Sequence, residues 1–477
     1  MTTTCIRSAA WIVSWQAETA RHVYRRDGDV VFCGNRILQV GGRYAGPVDR
    51  EIDGRGRLVM PGLVNLHCHP TNQPLYKGMR EELGNPHLYG SGLYDYMTLL
   101  VPDTDARKAA AEYTYCELLL SGVTTVTDLS VPYEGWVELA ARSGLRVCVA
   151  PMFRSANWIV PEGRSLGYVW DAKGGRRRFE EAVRIVEEAE RHPSGRLFGM
   201  VAPGQIDTCE EELLRDSVAL ARASKRPWQT HTAQSVAEFN EMTKRHGMTP
   251  VQWAHEIGLL GRGSGLGHAI FLDSHDWIHW PTRKDLELIA VTGTNVAHCP
   301  TVFSRYGHTL QDLGRYLRAG ITVGLGTDTF PHNMVEEMRV ALILARVASG
   351  YGTSVTSADA LHCATVGGAS ALLREDLGRL APGAKADLAL VDLNHPMMQP
   401  ARDPLRSMIY SAAERAVSDV FVDGQQVVKG GRVLTLDMAG AAGRVAEGQA
   451  RMEAATPKVD PGGRGAHEIA PLSLPVF

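Results

Sequence analysis

The sequence predicts an α/β fold, a (β/α)8 TIM barrel joined to a small composite β-sandwich, on three observations. Apolar β-branched segments alternate with helical patterns through the middle of the 477 residues. Short strand-like segments separated by Gly-rich turns occur at both ends of the chain. Side chains of the kind that bind metals stand where the barrel strands are predicted to end, which is where such barrels place their chemistry.

The predicted barrel occupies residues 59–374, and the sandwich combines residues 1–58 with residues 375–437. Barrel strands are predicted at residues 63–67, 124–129, 146–151, 197–202, 227–231, 265–271, 295–299 and 321–327. Helical periodicity between them covers residues 105–121, 178–191, 210–224 and 335–349. Residues 438–477 have weak periodicity and are predicted to form a C-terminal extension over the surface or a partner subunit.

Composition excludes several classes of function. Fifty Lys and Arg against 53 Asp and Glu give a net charge of −3, which predicts no attraction to nucleic acid or to an anionic membrane. We therefore expect a small, roughly neutral substrate. The N-terminus lacks a signal-peptide pattern and no segment approaches 18 uninterrupted apolar residues, so a cytoplasmic protein is expected. Eight cysteines without a CxxC pair argue against a disulfide framework and a thiolate zinc cluster.

The segment LVMPGLVNLHCHP ends its second apolar run with His67 and His69. Residues i and i+2 of a strand share one face, so both imidazoles leave the strand end on the same side and make half of a metal site. The pattern is short, and either histidine is also compatible with an ordinary role at a strand end.

Three further strand ends carry polar residues: His231 in WQTHTAQ, His268 in LGHAIFLD and Asp328 in VGLGTDTFPHN. Each alone is compatible with a buried polar residue of the core. Together with His67 and His69, His231 and Asp328 form a His₃Asp set that leaves room for water, as a catalytic ion requires.

HxH after PGLVN, the strand-six GHA, the strand-seven AHCP, the strand-eight GTD and the segment LAPGAKADLALVD resemble the amidohydrolase superfamily. The similarity covers roughly residues 20–435 and is to its cytosine deaminase, S-adenosylhomocysteine deaminase and triazine hydrolase branch. It implies one divalent ion, usually zinc or iron, with cobalt and manganese as alternatives, bound by His67, His69, His231 and Asp328. It implies His268 as a non-ligand beside the water. It also implies a homo-oligomer, dimer or tetramer.

Two departures from that branch bear on the chemistry. Gln234 stands where the branch usually has Glu, and Gly204 and Gln205 stand where a substrate-binding His is frequent. An amide cannot carry a proton at neutral pH, so Gln234 can only orient a substrate. We therefore expect hydrolysis of an amide, urea or carbamate C–N bond, with Asp328 moving the proton and His268 orienting the water or stabilising the oxyanion. The alternative is loss of an amine or halide from a triazine, pyrimidine or purine.

The long segment after strand one, residues 70–101, is predicted to form a lid over the site. Each further candidate is equally compatible with plain packing. The candidate substrate contacts are Gln205, Gln234, Tyr76, Tyr94, Trp158, His298, Ser304 and Arg305, and His332 and Asn333 are candidates for orienting the Asp328 carboxylate.

Two readings from other classes remain. A non-catalytic scaffold on the same barrel is disfavoured because every predicted ligand type is present. A nucleic-acid or phosphate-binding α/β protein has no support, since neither GxGxxG nor GxxxxGK[ST] follows a predicted strand.

Overall fold

The computed structural model describes residues 1–476, with Glu162 described without its side chain. The strands are β1 (Thr3–Gln16), β2 (Arg21–Cys33), β3 (Arg36–Val40), β4 (Arg50–Asp53), β5 (Arg57–Pro61), β6 (Leu63–Cys68), β7 (Val123–Asp128), β8 (Arg146–Val149), β9 (Met152–Phe153), β10 (Ala156–Ile159), β11 (Gly167–Trp170), β12 (Leu197–Gly199), β13 (Ala202–Pro203), β14 (Trp228–Thr232), β15 (Ser264–His268), β16 (Asn295–His298), β17 (Val323–Leu325), β18 (Leu388–Asp392), β19 (Val417–Val422), β20 (Gln425–Lys429) and β21 (Arg432–Val433).

Helices fill the intervals between the barrel strands and cover the C-terminal region. They are α1 (Leu93–Leu99), α2 (Thr104–Leu120), α3 (Trp136–Ser143), α4 (Ala172–Arg191), α5 (Glu211–Ala223), α6 (Val236–His246), α7 (Pro250–Glu256), α8 (Asp285–Thr292), α9 (Pro300–Ser304), α10 (Leu313–Arg318), α11 (Met334–Ser349), α12 (Ser357–His362), α13 (Gly368–Ala371), α14 (Pro404–Ser407), α15 (Met438–Val459) and α16 (Ala466–Ile469). In residues 1–476, none of them combines the length and the apolar composition needed to cross a membrane.

Two parallel sheets meet edge to edge and close the predicted barrel, which is thereby confirmed. One sheet has the order β12-β8-β7-β6 and the other β14-β15-β16-β17. They are joined where Cys68 pairs with Asp328 and where Val201 pairs with Trp228. We call these two joints the seams. Strand β17 is shorter than the predicted residues 321–327, because the chain turns at its end and Asp328 has a positive φ of 56°.

The sandwich is built from both ends of the chain, as predicted. Its strands follow the order β21-β20-β19-β18-β5-β1-β2-β3, with β4 paired to β1. This sheet bends around an apolar core that includes Ile6, Ile12, Phe32, Leu388 and Phe421. Strand β5 spans the boundary predicted at residue 58, because only one residue, a glycine, separates it from the first barrel strand.

The lid, residues 70–101, contains short 3-10 turns and helix α1, and the C-terminal helix α15 packs against it. The Gln449 side-chain amide donates to the carbonyls of Leu75 (2.8 Å) and Lys77 (2.9 Å). A Cβ built on Gly448 would lie 2.6 Å from the Ala106 Cβ. The weak periodicity of this extension thus reflects small residues that allow close helix packing.

A buried ion-pair network joins the barrel to the sandwich. The Arg146 guanidinium at the start of β8 contacts Asp387 (2.9 Å) and Asp423 (2.7 Å), and only 1% of the arginine side chain is exposed. Two carboxylates thus compensate a buried cation at the base of the barrel.

Replacing Arg146 with Met should lower the free energy of unfolding by about 3 to 5 kcal/mol, because two buried carboxylates lose their partner. The midpoint of thermal unfolding measures this. As a control, Arg55→Met removes an ion pair with Asp53 whose side chains are 79% and 59% exposed, and the midpoint should not change. Equal midpoints for both variants would contradict the structural role of Arg146.

Candidate metal centre and active-site cavity

Four side chains from three strand ends converge at one rim of the barrel. The His231 Nε2 lies 3.1 Å from the Nε2 atoms of both His67 and His69. The Asp328 Oδ1 lies 3.3 Å from the His69 Nε2 and 3.9 Å from the His67 Nε2. Ligand atoms about 2.1 Å from a tetrahedral zinc ion are about 3.4 Å apart, so the four donors fit one ion of that size.

Each of the three imidazoles donates its Nδ1 proton to an oxygen atom. The pairs are His67 with Gln229 Oε1 (2.5 Å), His69 with the Leu129 carbonyl (2.7 Å) and His231 with the Gly204 carbonyl. Because carbonyl oxygens only accept hydrogen bonds, each proton stays on Nδ1 and each Nε2 keeps a lone pair. Three lone pairs facing one another repel unless a cation lies between them, so the donor set itself suits a metal.

Two glycines let the neighbouring strands approach His67. A Cβ built on Gly326 would lie 2.7 Å from the His67 Cβ, and one on Gly267 would lie 3.1 Å from the His67 Cε1. The sheet therefore closes tightly beneath the cluster, and the ligand atoms face the open rim.

Burial controls the protonation of the cluster. Burial, and then the neighbouring imidazoles, lower the pKa of His67 well below its usual value and that of His231 to about 3. Burial raises the pKa of Asp328, while His69 lowers it to a smaller extent. The imidazoles of His67 and His231 are thus neutral, as metal ligands must be, and the carboxyl of Asp328 is suited to take up and release a proton.

His268 lies at the end of β15, beside the four donors. Its Nε2 is 3.8 Å from the Asp328 Oδ2, and its ring packs against Phe303. The residue has a positive φ of 85°, which is strained for a side chain other than glycine and is frequent at functional sites. The His268 side chain therefore faces the Asp328 carboxylate at the rim, and its role beside the reacting water stays a prediction.

The rim opens into a cavity of about 380 Å³ between the barrel and the lid. Four of the predicted substrate contacts line it, namely Tyr76, Trp158, Gln205 and Gln234. The Gln234 Nε2 is buried without a hydrogen-bond partner among the described residues, and so has a donor left for a ligand. The Gln205 Oε1 accepts a hydrogen bond from the Thr208 hydroxyl (3.2 Å).

Two other predicted contacts lie behind the residues that line the cavity. The Tyr94 hydroxyl is 2.6 Å from the Ser235 Oγ, and its ring packs edge-on against Trp158, so the tryptophan covers it. His298 is buried at the end of β16 and does not line the cavity either.

Ser304 and Arg305 also lie off the cavity, at the end of helix α9. The Ser304 hydroxyl donates back to the Thr301 carbonyl (2.9 Å) of the same helix. The Arg305 guanidinium donates to the Phe330 carbonyl and stacks on the Phe330 ring. Backbone carbonyls therefore accept hydrogen bonds from both of these side chains, which the sequence suggested as substrate contacts.

His332 and Asn333 do not bond to the Asp328 carboxylate, contrary to expectation. The Asn333 Oδ1 caps helix α11 by accepting from the backbone N–H groups of Val335 (3.1 Å) and Glu336 (3.2 Å). The His332 Nδ1 lies 3.1 Å from the Thr327 Oγ1, on the residue before Asp328.

The structure also places residues at the site that the sequence did not single out. Gln229, which orients His67, lies two positions before His231 on β14, so the alternation of a strand could have revealed it. Arg80 and Tyr306 line the cavity from the lid and from the segment after α9, and no local pattern marks them.

A set of neutral imidazoles and one carboxylate at the C-terminal rim of a closed barrel defines a metal-dependent hydrolase. The model of the amidohydrolase family matches residues 58–427, and the chain belongs to this family, which acts on C–N bonds. The resemblance read from the motifs is thereby confirmed.

This chain is also similar to individual known proteins, in sequence and in structure. The chain is 30% identical, over 86% of its length and 91% of the relative, to a 5-methylthioadenosine/S-adenosylhomocysteine deaminase of Pelotomaculum thermopropionicum. An adenosine deaminase of Xanthomonas campestris with bound zinc superposes with a TM-score of 0.80 at 22% identity, covering 95% of this chain and 99% of that one. A zinc-complexed atrazine chlorohydrolase of Arthrobacter aurescens gives 0.80 at 23%, covering 94% and 100%. These two structures share the fold.

Gln229→Leu should weaken binding of a divalent metal by about 10- to 100-fold, because His67 loses the acceptor that fixes its ring and tautomer. Competition with a chelating dye measures the affinity. Gln205→Leu, which alters a cavity glutamine that does not bond to a histidine side chain, is the matched control and should bind metal normally. Unchanged affinity in Gln229→Leu would show that this amide does not position His67.

Proposed function

We propose that this enzyme hydrolyses a C–N bond at an amide-, urea- or carbamate-like carbon of a small nitrogen-containing compound. In the proposal one zinc ion per chain is held by His67, His69, His231 and Asp328. The observation that supports the proposal is the number of carboxyl groups that line the cavity. Among the described residues that line it, Asp328 is the only one with a carboxyl group.

A zinc ion bound by these donors would act as a Lewis acid and lower the pKa of water from about 15.7 towards 7. The Asp328 Oδ2 accepts the proton of the attacking water and returns it to the departing nitrogen. The Gln234 Nε2, which has no hydrogen-bond partner among the described residues, donates to the substrate carbonyl oxygen. His268 faces Asp328 and orients the water. One carboxyl suffices for this reaction, because the proton that it takes up is the one that it delivers.

The second candidate is hydrolytic loss of ammonia, an amine or chloride from a nitrogen heterocycle. The names of the similar deaminase and chlorohydrolase favour it. Protonation of a ring nitrogen calls for another acid near Gln234, and Glu238 is the nearest along the chain. Its carboxylate instead accepts the backbone N–H groups of Ala233 (2.6 Å) and Gln234 (3.2 Å) and does not line the cavity.

A substrate panel separates the two candidates. Zinc-loaded protein is incubated with small anilides, ureas and carbamates, and in parallel with aminopyrimidines, adenine nucleosides and chlorotriazines. We expect release of an alkylamine or arylamine from the first group. Release of ammonia or chloride from the second group alone would contradict the proposal in favour of the alternative.

Replacing Gln234 with Glu should shift the reaction, because an acid that can deliver a proton replaces an amide that can only donate a hydrogen bond. We expect a changed pH profile or an activity gained on amino-heterocycles. Gln205→Glu, the same change at the other cavity glutamine, serves as the control. Rate profiles for Gln234→Glu that match the unmodified enzyme would mean that this side chain does not meet the substrate.

We further propose that the enzyme works in the cytoplasm as a homodimer or homotetramer. All eight cysteines are free thiols in the structure, as is usual in a reducing compartment. The oligomer is implied by the family resemblance. Light scattering of the purified protein gives the mass to compare with 52.0 kDa for one chain. A monomeric mass would contradict the oligomer.

A further inference from the structure

We propose that Arg80 binds a carboxylate group of the substrate, so that the compound hydrolysed is an acid. The proposal deepens the proposed function, since it takes the same cavity as the substrate site. It does not depend on which C–N bond is cleaved.

The side chains that line the cavity carry an excess of positive charge. The arginines there are Arg80, Arg107, Arg154 and Arg178, and among the described lining residues the only carboxylate is Asp328, which faces the metal donors. The whole chain has a net charge of −3, but that sum averages over the entire molecule. The local charge of the cavity favours an anionic ligand, particularly with a divalent cation at the rim.

Arg80 is buried without an anionic partner. Arg80 is 2% exposed, and the groups that its side chain contacts are all neutral. The Nε donates to the Tyr306 hydroxyl (2.6 Å), the Nη1 donates to the Gln73 Oε1 (2.5 Å), and the guanidinium stacks on the Tyr96 ring at 4.3 Å. Among the described residues no carboxylate forms an ion pair with it within 4.0 Å, and Asp328 attracts it only from beyond that distance. Cation–π and neutral hydrogen bonds only partly offset the cost of burying a charge.

Arg146, another arginine that is almost fully buried, provides a comparison. That residue is 1% exposed and is held by two carboxylates, Asp387 and Asp423. Arg80 is buried to a similar degree but forms no ion pair with a carboxylate of the described residues, and it differs further in lining a cavity. We infer that the anion missing from the protein is supplied by the ligand.

The free donors of Arg80 suit a carboxylate in particular. Its Nη2 has no hydrogen-bond partner among the described residues, while Nε and Nη1 are held by Tyr306 and Gln73. The guanidinium is thereby fixed in orientation and presents its remaining N–H groups, the geometry that favours planar oxygen pairs. Arg305 provides the contrast, because the Phe330 carbonyl takes up its guanidinium and it does not line the cavity.

The test compares two probes of equal shape, benzoate and benzamide, by calorimetric titration of the full-length zinc-loaded protein. We expect benzoate to bind at least about tenfold more tightly than benzamide. Arg80→Met should lose about tenfold or more in benzoate affinity and leave benzamide unaffected, and Arg80→Lys should lie between, because it keeps the charge without the planar fork. Arg305→Met, the matched control, should bind both probes as the unmodified protein does.

Several outcomes would overturn the proposal. Equal affinity of the unmodified protein for the two probes would overturn it. This measurement needs no variant, so it decides the matter even if Arg80→Met fails to fold. Unchanged benzoate binding in folded Arg80→Met would show that the carboxylate meets the metal alone. Arg80-dependent benzoate binding without any C–N hydrolysis in the substrate panel would leave the anion site standing and refute only the proposed reaction.

Discussion

The metal centre depends on the backbone hydrogen bonds that close the barrel. At one seam the Asp328 N–H donates to the His67 carbonyl (2.8 Å) and the His69 N–H donates to the Asp328 carbonyl (3.0 Å). At the other, the His231 N–H donates to the Gly204 carbonyl (3.2 Å), and that same carbonyl accepts the Nδ1 proton of the His231 ring. The pairing that completes the fold therefore also sets the spacing of the donors, because strand register leaves little freedom to side chains at the last residues of a strand.

The chemistry of the site depends on how the closed rim holds the ligand histidines and on what bounds the cavity above them. The imidazoles of His67 and His231 are buried, and the Nδ1 atoms of all three ligand histidines donate to oxygen atoms, so each Nε2 offers a lone pair. The cavity above them is bounded by the lid, which the C-terminal helix holds from outside through Gln449. Arg80 lies on that lid, so a segment supported by the end of the chain carries the charge that we assign to substrate binding.

Much of the fold and of the metal centre could be predicted from the sequence, because both follow from short-range patterns. The alternation of strands and helices indicated the barrel, and the one-residue spacing of His67 and His69 indicated a shared face. Residues that close strands have few orientations available. His231 and Asp328 therefore lie where the pattern placed them.

The rest of the site depends on contacts that no local pattern records. Asn333 lies five residues after Asp328, but the start of helix α11 takes its side chain as a cap. Tyr94 is on the predicted lid, yet Trp158, from strand β10, packs against its ring and covers it. Arg80 has no motif around it, and only the folded lid shows that its partners are neutral. The C-terminal helix α15 could not be predicted from periodicity for a different reason, because its many small residues give only a weak hydrophobic pattern.

The most direct measurement is anomalous diffraction from crystals of the full chain grown with zinc, recorded above and below the zinc absorption edge. We expect one anomalous peak per chain, about 2.0 to 2.2 Å from the Nε2 atoms of His67, His69 and His231 and from a carboxylate oxygen of Asp328. A peak ligated by other residues, a second peak at the same rim, or no peak there would contradict it.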